Sequence, residues 1–182
     1  MTAVRTLLLS LFYFSTPSGA DELSICYNYN CIKQAQVVLR LPHLKALKTL
    51  LRQASDAESE RHSLANVLGL LRIFAGEQTP IFRDRGKNQY DDEMEGRMDC
   101  IDHATNNMAY LRLLEQRGWL RYHRVLPPVM RAPWLVNAHW GALIEDRASG
   151  MRYVVDSWFR DHGYPADIFE LQEWLAGKEP GL

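Results

Sequence analysis

The sequence lacks any strong excess of charge, and it contains no internal repeat or low-complexity segment. Its 182 residues carry a formal net charge of -1 at pH 7, so no strong field exists to attract a polyanion. We therefore expect neither nucleic acid nor an acidic membrane surface as a partner. The length suits one domain with a real core and is short for two. We predict a single domain over residues 21–182.

A long apolar run is also missing near the N-terminus. The run Leu7–Phe14 follows Arg5 and precedes small residues at positions 18–20. A membrane span needs about 20 apolar residues, whereas this pattern is typical of a secretory signal with a small-residue cleavage site. We predict a signal peptide at residues 1–20, with an uncleaved anchor as the alternative. The mature protein is then expected to be periplasmic or secreted, with no membrane span after cleavage.

Cysteine is scarce, since the chain contains only 3. Disulfides persist outside the cytosol, and we expect Cys26 and Cys31 to form a bridge around a small loop. Cys100 is then left over, and an odd cysteine in an exported chain indicates a free reactive thiol. Two alternatives stay open: Cys26 and Cys31 are reduced, or one of them pairs with Cys100.

Helical periodicity dominates the first half of the chain. Leucines at helical spacing predict a helix from Pro42, after a segment, Gln36–Leu41, that is either a brief strand or a lead-in. Ser55 and Glu58 have the spacing of a capping box, and an apolar stripe follows up to Gly76. The sequence therefore predicts two helices before residue 76.

Between Gly76 and Met98 no apolar period is present. The acidic cluster at residues 91–95 resembles a calcium-binding run only in its charge, because it lacks the alternating ligands and the glycine of an EF-hand loop. We interpret it as a solvated loop, and long loops of this kind often border a site. No metal ion and no cofactor are expected.

The helical period returns from about Asp99 to Arg117, with Asp99 as N-cap and Gly118 as the stop. Cys100 lies in the first turn on the core-facing side of this helix. A helix N-terminus stabilises a thiolate through its unpaired amides and the positive end of its dipole. The charges of Asp99 and Asp102 act in the opposite direction.

The last third of the chain alternates in the manner of strands. Trp119–Val125 predicts a strand that ends at Pro127–Pro128. Residues 138–145 and 151–157 flank Asp146–Gly150 and predict a hairpin. The tail from Asp167 predicts a short closing helix.

This hairpin relates His139 to Asp156. With a turn at residues 146–149 the two lie directly opposite, and with a turn at 147–150 they are diagonal neighbours on one face. A turn with an odd number of residues puts them on opposite faces. A histidine that takes the proton of a cysteine thiol, held by a carboxylate on its far nitrogen, forms a nucleophilic triad. Cys100, His139 and Asp156 are therefore the predicted catalytic residues.

Other assignments of these residue types compete with the triad. His123 is a rival base, but no carboxylate follows it at hairpin distance. His103 lies one turn after Cys100, and the pair is half of a zinc site whose second half is missing. Trp140 and Trp158 either shield the His–Asp hydrogen bond or are plain core.

The oxyanion hole is expected to use the Cys100 backbone amide, which needs no particular side chain. A side-chain donor is expected from the loop upstream. The candidates are Asn88, Gln89 and Tyr90.

Three motifs together resemble a known group of proteins. Asp99-Cys100-Ile101-Asp102-His103-Ala104, His139-Trp140 and Val154-Val155-Asp156-Ser157-Trp158 are similar to the core of the transglutaminase-like superfamily, within the wider papain-like group of thiol enzymes. The resemblance covers roughly residues 95–160. It implies an α+β fold in which a nucleophile-bearing helix packs on an antiparallel sheet, and to this fold the chain adds the predicted N-terminal helices. It also implies Cys100 as nucleophile, His139 as base and Asp156 as orienting carboxylate.

The superfamily includes amide hydrolases, acyl transferases, cross-linkers and inactive members. We expect an exported hydrolase or acyl transferase that acts on peptide or cell-wall amide bonds through an acyl-enzyme. The alternative is a non-catalytic periplasmic protein that keeps the fold for binding or assembly with a protein partner. The resemblance does not explain the helices before residue 76.

Overall fold

The computed structural model describes residues 20–88, 93–132 and 138–181. Its class is α+β, as predicted. The first part contains β1 (Ala20–Tyr27), β2 (Lys33–Arg40), α1 (Leu41–Arg52), α2 (Ala57–Gly76) and a 3-10 turn (Pro80–Arg83). The second part contains α3 (Cys100–Gln116), β3 (His123–Arg131), β4 (His139–Asp146), β5 (Arg152–Asp156), β6 (Asp167–Glu170) and α4 (Leu171–Leu175).

The described residues form two antiparallel sheets. One is the hairpin of β1 and β2, and the other has the strand order β3-β4-β5-β6. Helix α3 packs across β4 and also contacts β1, so it lies between the two sheets. The larger hydrophobic core joins α1, α2 and α3 to both sheets, and a smaller cluster around Phe169 and Trp174 includes residues of β4, β5 and β6. The start of α3 is thereby held near the start of β4.

The two N-terminal helices agree with their apolar periods, and β2 confirms the brief strand. The cap of α2 differs from the prediction: Asp56, not Ser55, is the N-cap, and it exchanges side-chain and backbone hydrogen bonds with Ser59. Asp accepts the free amides of a first turn at least as well as Ser. The shift by one residue therefore leaves the helix intact.

The predicted strand Trp119–Val125 is wrong in both of its boundaries. The backbone amides of Arg121, Tyr122 and His123 donate to the buried carboxylate of Glu60 at 2.7, 3.1 and 3.0 Å, which diverts this segment from the sheet. The strand β3 then runs through Pro127–Pro128, where the register against β4 shifts. Proline is tolerated there because β3 is an edge strand and the shift is a bulge.

The sequence reading missed β1 and β6. The sequence predicts no strand at β1, and β6 lies where it predicts part of the closing helix, of which α4 is the remaining part. The predicted signal segment lies outside the described residues except for Ala20, where β1 begins. No helix in the described ranges is both long and apolar enough to cross a membrane.

Candidate active site

The candidate nucleophile, Cys100, is the first residue of α3 and is a free, half-buried cysteine. Asp99 is the N-cap, as predicted, and its carboxylate accepts the backbone amide of Asp102 at 2.9 Å. The Asp102 carboxylate in turn lies 3.3 Å from the amide nitrogen of Asp99. This reciprocal pair fixes where the helix starts and so places Cys100 in the first turn, where unpaired amides and the positive end of the helix dipole favour a thiolate.

A disulfide between Cys26 and Cys31, as predicted, closes the turn between β1 and β2. The residues at 28–31 all have positive φ, between 50° and 66°. None of them is glycine, and a run of left-handed residues is unfavourable for L-amino acids. The turn is therefore maintained by what it binds as well as by the bridge.

What the turn binds is the start of α3. The amides of Tyr29 and Cys31 donate to the carboxylate of Asp102 at 2.8 and 2.7 Å, and the amide of Asn30 donates to Asp99 at 2.9 Å. Successive amides in such a turn form a concave anion-binding surface. The disulfide loop is thus a second cap on the helix that carries the thiol.

These contacts also answer the question of like charge beside the thiol. Burial and the charge of Asp99 raise the pKa of Asp102 to about 6, while the loop amides act in the opposite direction. Both carboxylates are satisfied by backbone donors. The backbone amides of the disulfide loop therefore offset part of the negative charge of Asp99 and Asp102.

His139 and Asp156 lie on neighbouring strands, as the hairpin predicts. The register pairs Ala142 with Val155 and Glu145 with Arg152, so the turn is the 147–150 form and the two residues are diagonal neighbours. His139 Nε2 lies 2.6 Å from Asp156 Oδ2. Both side chains are buried. Of the two predicted turns with an even number of residues, the structure contains the one at residues 147–150.

Asp156 has two further donors. The indole Nε1 of Trp174 donates to Oδ2 at 3.0 Å, and the backbone amide of Trp158 donates to Oδ1 at 3.1 Å. Trp174 reaches the carboxylate from α4 across β4 at Gly141, where an added Cβ would lie 3.3 Å from the Trp174 ring. Sequence reasoning missed Trp174 because α4 is distant from the motifs and carries no pattern that points to them.

Cys100 and His139 line one cleft of about 520 Å³. Burial alone lowers the pKa of His139, but the hydrogen bonds to Asp156 and Cys100, together with their negative charges, outweigh burial and raise the pKa to about 9. The ring is then protonated at neutral pH. An imidazolium paired with a thiolate is the state from which a cysteine nucleophile attacks.

The two tryptophans beside the pair have different positions. The Trp158 ring lies 5.0 Å from the ring of His139, whereas Trp140 lines a separate, mainly apolar pocket of about 260 Å³ beside Ile101 and Met108. Neighbouring residues of a strand point to opposite faces. Of the two alternatives left open by the sequence, shielding of the His–Asp pair suits the position of Trp158, whereas Trp140 packs on the other face of the strand.

The rival histidines have other partners. His123 is buried with Nδ1 2.9 Å from Glu60 on α2, so its carboxylate comes from a helix and not from a hairpin. The ring of His103 is turned away from Cys100: Nδ1 lies 2.8 Å from Ser157 Oγ and Nε2 lies 3.0 Å from Asp84. Neither ring nitrogen of His103 is therefore directed toward Cys100, as a zinc half-site of this pair needs.

One other grouping of ligand types is present in the described residues. The sulfurs of Cys26 and Cys31 and an oxygen of Asp102 lie within 4.8 Å of one another. The two sulfurs are bonded to each other, so neither is available as a thiolate ligand.

Of the three side chains considered for the oxyanion hole, Asn88 lines the cleft beside Cys100. Its amide nitrogen donates to Asp84 at 3.1 Å. Gln89 and Tyr90 lie outside the described residues, as does part of the acidic cluster at 91–95. Glu95, within the described part, forms an exposed ion pair with Lys33.

Comparison with known proteins gives no relative: no family model, no curated protein and no solved structure matches the chain. The resemblance to the transglutaminase-like superfamily therefore rests on the three motifs alone.

Proposed function

We propose that the protein is a cysteine-dependent amide hydrolase or acyl transferase, with Cys100 as nucleophile, His139 as base and acid, and Asp156 as the orienting carboxylate. The observation that carries the proposal is the environment of one ring. His139 contacts Asp156 through Nε2 at 2.6 Å and has the Cys100 thiol as its other hydrogen-bonding side chain. This leaves Nδ1 to exchange a proton with the thiol, which is the division of labour that a triad needs.

The chemistry follows from these contacts. The thiolate attacks the amide carbon and forms a C–S bond while the carbonyl electrons move to oxygen, where the Cys100 amide stabilises the charge. As the C–N bond breaks, His139 gives its proton to the leaving nitrogen and a thioester remains. Water or an amine then attacks the thioester and gives a proton to His139, and the C–S bond breaks to return the thiolate.

We also propose that the chain is a divergent member of the transglutaminase-like superfamily. The order of cysteine, histidine and aspartate supports this, as does their position on a helix start and two adjacent strands. The Cys26–Cys31 disulfide supports an exported protein, because cytosolic systems keep thiols reduced. Peptide or cell-wall amides are the proposed substrates in a periplasmic or secreted location.

The reactivity of Cys100 toward iodoacetamide tests the proposal. An ordinary thiol with a pKa of about 8.5 is almost entirely protonated at pH 6, and we expect the wild type to react there about tenfold or more faster than His139→Ala. The second-order rate constant is measured by mass spectrometry on the mature protein between pH 5 and 8.

The matched control is His62→Ala, since His62 is exposed on α2 and is expected to leave the rate unchanged. Circular dichroism verifies that each variant is folded. Equally slow labelling of wild type and His139→Ala at pH 6 contradicts the enzyme and leaves a non-catalytic binding or assembly protein.

A further inference from the structure

Arg131 is a buried cation in the same cleft as Cys100 and His139. It is the last residue of β3 and lies directly opposite His139 in the register of β3 and β4. Only 8% of its surface is exposed. Residues opposite each other on antiparallel strands have Cβ atoms about 5 Å apart. The Arg131 side chain therefore leaves the backbone beside the proposed catalytic histidine, and both residues line the same cleft.

The side chain of Arg131 is fixed from one side. Nη1 donates to the backbone carbonyls of Trp174 at 2.6 Å and Lys178 at 3.1 Å, and the guanidinium lies 4.7 Å from the centre of the Trp174 ring. Nε and Nη2 donate no hydrogen bond to any described residue. These two nitrogens form one edge of the guanidinium, and that edge matches the two oxygens of a carboxylate.

The carboxylates around the cleft are already engaged. Asp156 accepts from His139 and Trp174, and Asp99 accepts from the amides of the helix start and the disulfide loop. Glu179 pairs with Lys87 at 2.7 Å. Within the described residues, no carboxylate lies at ion-pair distance from Arg131. Burial lowers the pKa of Arg131, and the more distant charges of Asp156 and Glu179 act in the opposite direction. A buried charge that no carboxylate contacts is costly, and an anionic ligand would offset that cost.

We propose that Arg131 binds a carboxylate of the substrate next to the amide that Cys100 attacks. The inference rests on the proposed function and names its substrate class: amides flanked by an acidic side chain, or amides close to a free C-terminal carboxylate. The competing explanation is that Arg131 only anchors the end of α4 through its two carbonyl contacts. The two explanations differ in whether the cleft favours anions.

The two explanations are distinguished by labelling Cys100 with two reagents of the same shape. Iodoacetate carries a carboxylate, whereas iodoacetamide is neutral, so the ratio of their rate constants cancels changes in thiol reactivity. We expect the rate constant for iodoacetate divided by that for iodoacetamide to be about fivefold or more lower in Arg131→Gln than in the wild type. The reason is that the variant lacks the short-range attraction between the guanidinium and the carboxylate of iodoacetate. Arg131→Lys keeps the charge but not the two-nitrogen edge, so its ratio is expected to lie between those of the wild type and Arg131→Gln.

The matched control is Arg124→Gln, which removes the same charge from the other end of β3, where Arg124 pairs with Glu145. Its ratio is expected to equal that of the wild type. An unchanged ratio in folded Arg131→Gln overturns the carboxylate site. Should that variant fail to fold, Arg131→Lys decides, because the protonated His139 ring is present in it and in the wild type alike: a lower ratio than that of the wild type supports the two-nitrogen site, and an equal ratio overturns it.

Failure of this inference is distinct from failure of the proposed function. If labelling is slow and His139→Ala does not change its rate, the proposed function is contradicted whatever the ratio of the two reagents is. Fast, His139-dependent labelling with an unchanged ratio contradicts only the role of Arg131.

Protection against iodoacetamide identifies the source of the carboxylate. N-acetylglycine offers a C-terminal carboxylate, and the α-amide of N-acetylglutamate offers only a side-chain carboxylate. The compound that slows labelling of the wild type but not of Arg131→Gln names the source. Protection by neither overturns the substrate assignment.

Discussion

The protonation of His139 is set by neighbours that have opposite effects on its pKa. Its ring is buried against aromatic side chains, which disfavours the protonated form, and the contacts with Asp156 and Cys100 reverse that effect. Asp156 can do this because Trp174 and the amide of Trp158 hold its carboxylate in place. The protonated ring is therefore part of what stabilises the fold as well as part of the proposed chemistry.

This coupling predicts how stability depends on pH. The folded pKa of His139, about 9, is above the unfolded value of about 6.5, so the folded state binds the proton more tightly. The contribution is complete below about pH 6.5 and is lost as the pH rises through 9. We expect the difference in the free energy of unfolding between wild type and His139→Gln to shrink by about 2–4 kcal/mol from pH 6 to pH 9.5.

Urea denaturation at each pH measures this difference. His62→Gln is the matched control, since that ring is exposed, and its difference from the wild type is expected to stay constant. A difference for His139→Gln that is independent of pH would show that the ring gains no proton affinity on folding.

At the scale of elements, the disulfide loop and the start of α3 form one unit. The loop supplies three amides to Asp99 and Asp102, and a fourth link joins the Asn28 amide to the Arg97 carbonyl at 2.8 Å. The left-handed turn keeps these amides convergent. The bridge is therefore expected to matter for the thiol, although Cys26 and Cys31 do not line the cleft.

Removal of the bridge tests this unit. We expect the double variant Cys26→Ser, Cys31→Ser to lose about 2 kcal/mol of unfolding free energy, because a short loop is no longer closed in the unfolded chain. Labelling of Cys100 at pH 6 is expected to slow as well, since the helix start loses its second cap. Urea unfolding and iodoacetamide labelling measure the two effects.

Reduction of the wild type supplies the control for this prediction. Dithiothreitol is expected to lower the stability of the wild type to that of the double variant and to leave the double variant unchanged. Equal stability of all four samples would mean that the loop holds its shape without the bridge.

At the scale of the whole molecule, a buried polar network connects α2 to the elements around the site. Asp84, fully buried, lies 3.5 Å from Arg72 of α2 and 3.0 Å from His103 of α3. It also accepts the amide of Met98 at 2.8 Å, just before α3. His103 continues to Ser157, the residue after Asp156. The network thus joins the helix that begins at Cys100 to the strand that ends at Asp156.

Asp84→Ala tests the network. It leaves the buried charge of Arg72 without a counter-ion, and breaking a buried pair in this way costs about 3–5 kcal/mol. We expect a loss of that size in urea unfolding. Glu95→Ala, which breaks the exposed pair with Lys33, is expected to cost less than about 1 kcal/mol, and similar losses for both variants would contradict a structural role specific to Asp84.

The parts that could be predicted from sequence depend on contacts between residues close along the chain. The N-cap of α3, the period of α2, the Cys26–Cys31 bridge and the placement of His139 and Asp156 on neighbouring strands all follow from short spacings with few geometric solutions. In contrast, β3 was misjudged because the diversion of its first residues depends on Glu60, far away on α2.

The sequence alone determined the main helices, the hairpin and the residue types that the helix start and the hairpin present, because helical and strand periods are local properties of the chain. The α+β class was what the resemblance of the three motifs implied. Only the tertiary structure decided that Trp174 holds Asp156, that Arg131 enters the cleft, and that the disulfide loop faces Asp99 and Asp102. These contacts join segments whose separation along the chain carries no periodic signal. They arise from packing, which selects neighbours by shape and charge after the local elements have formed.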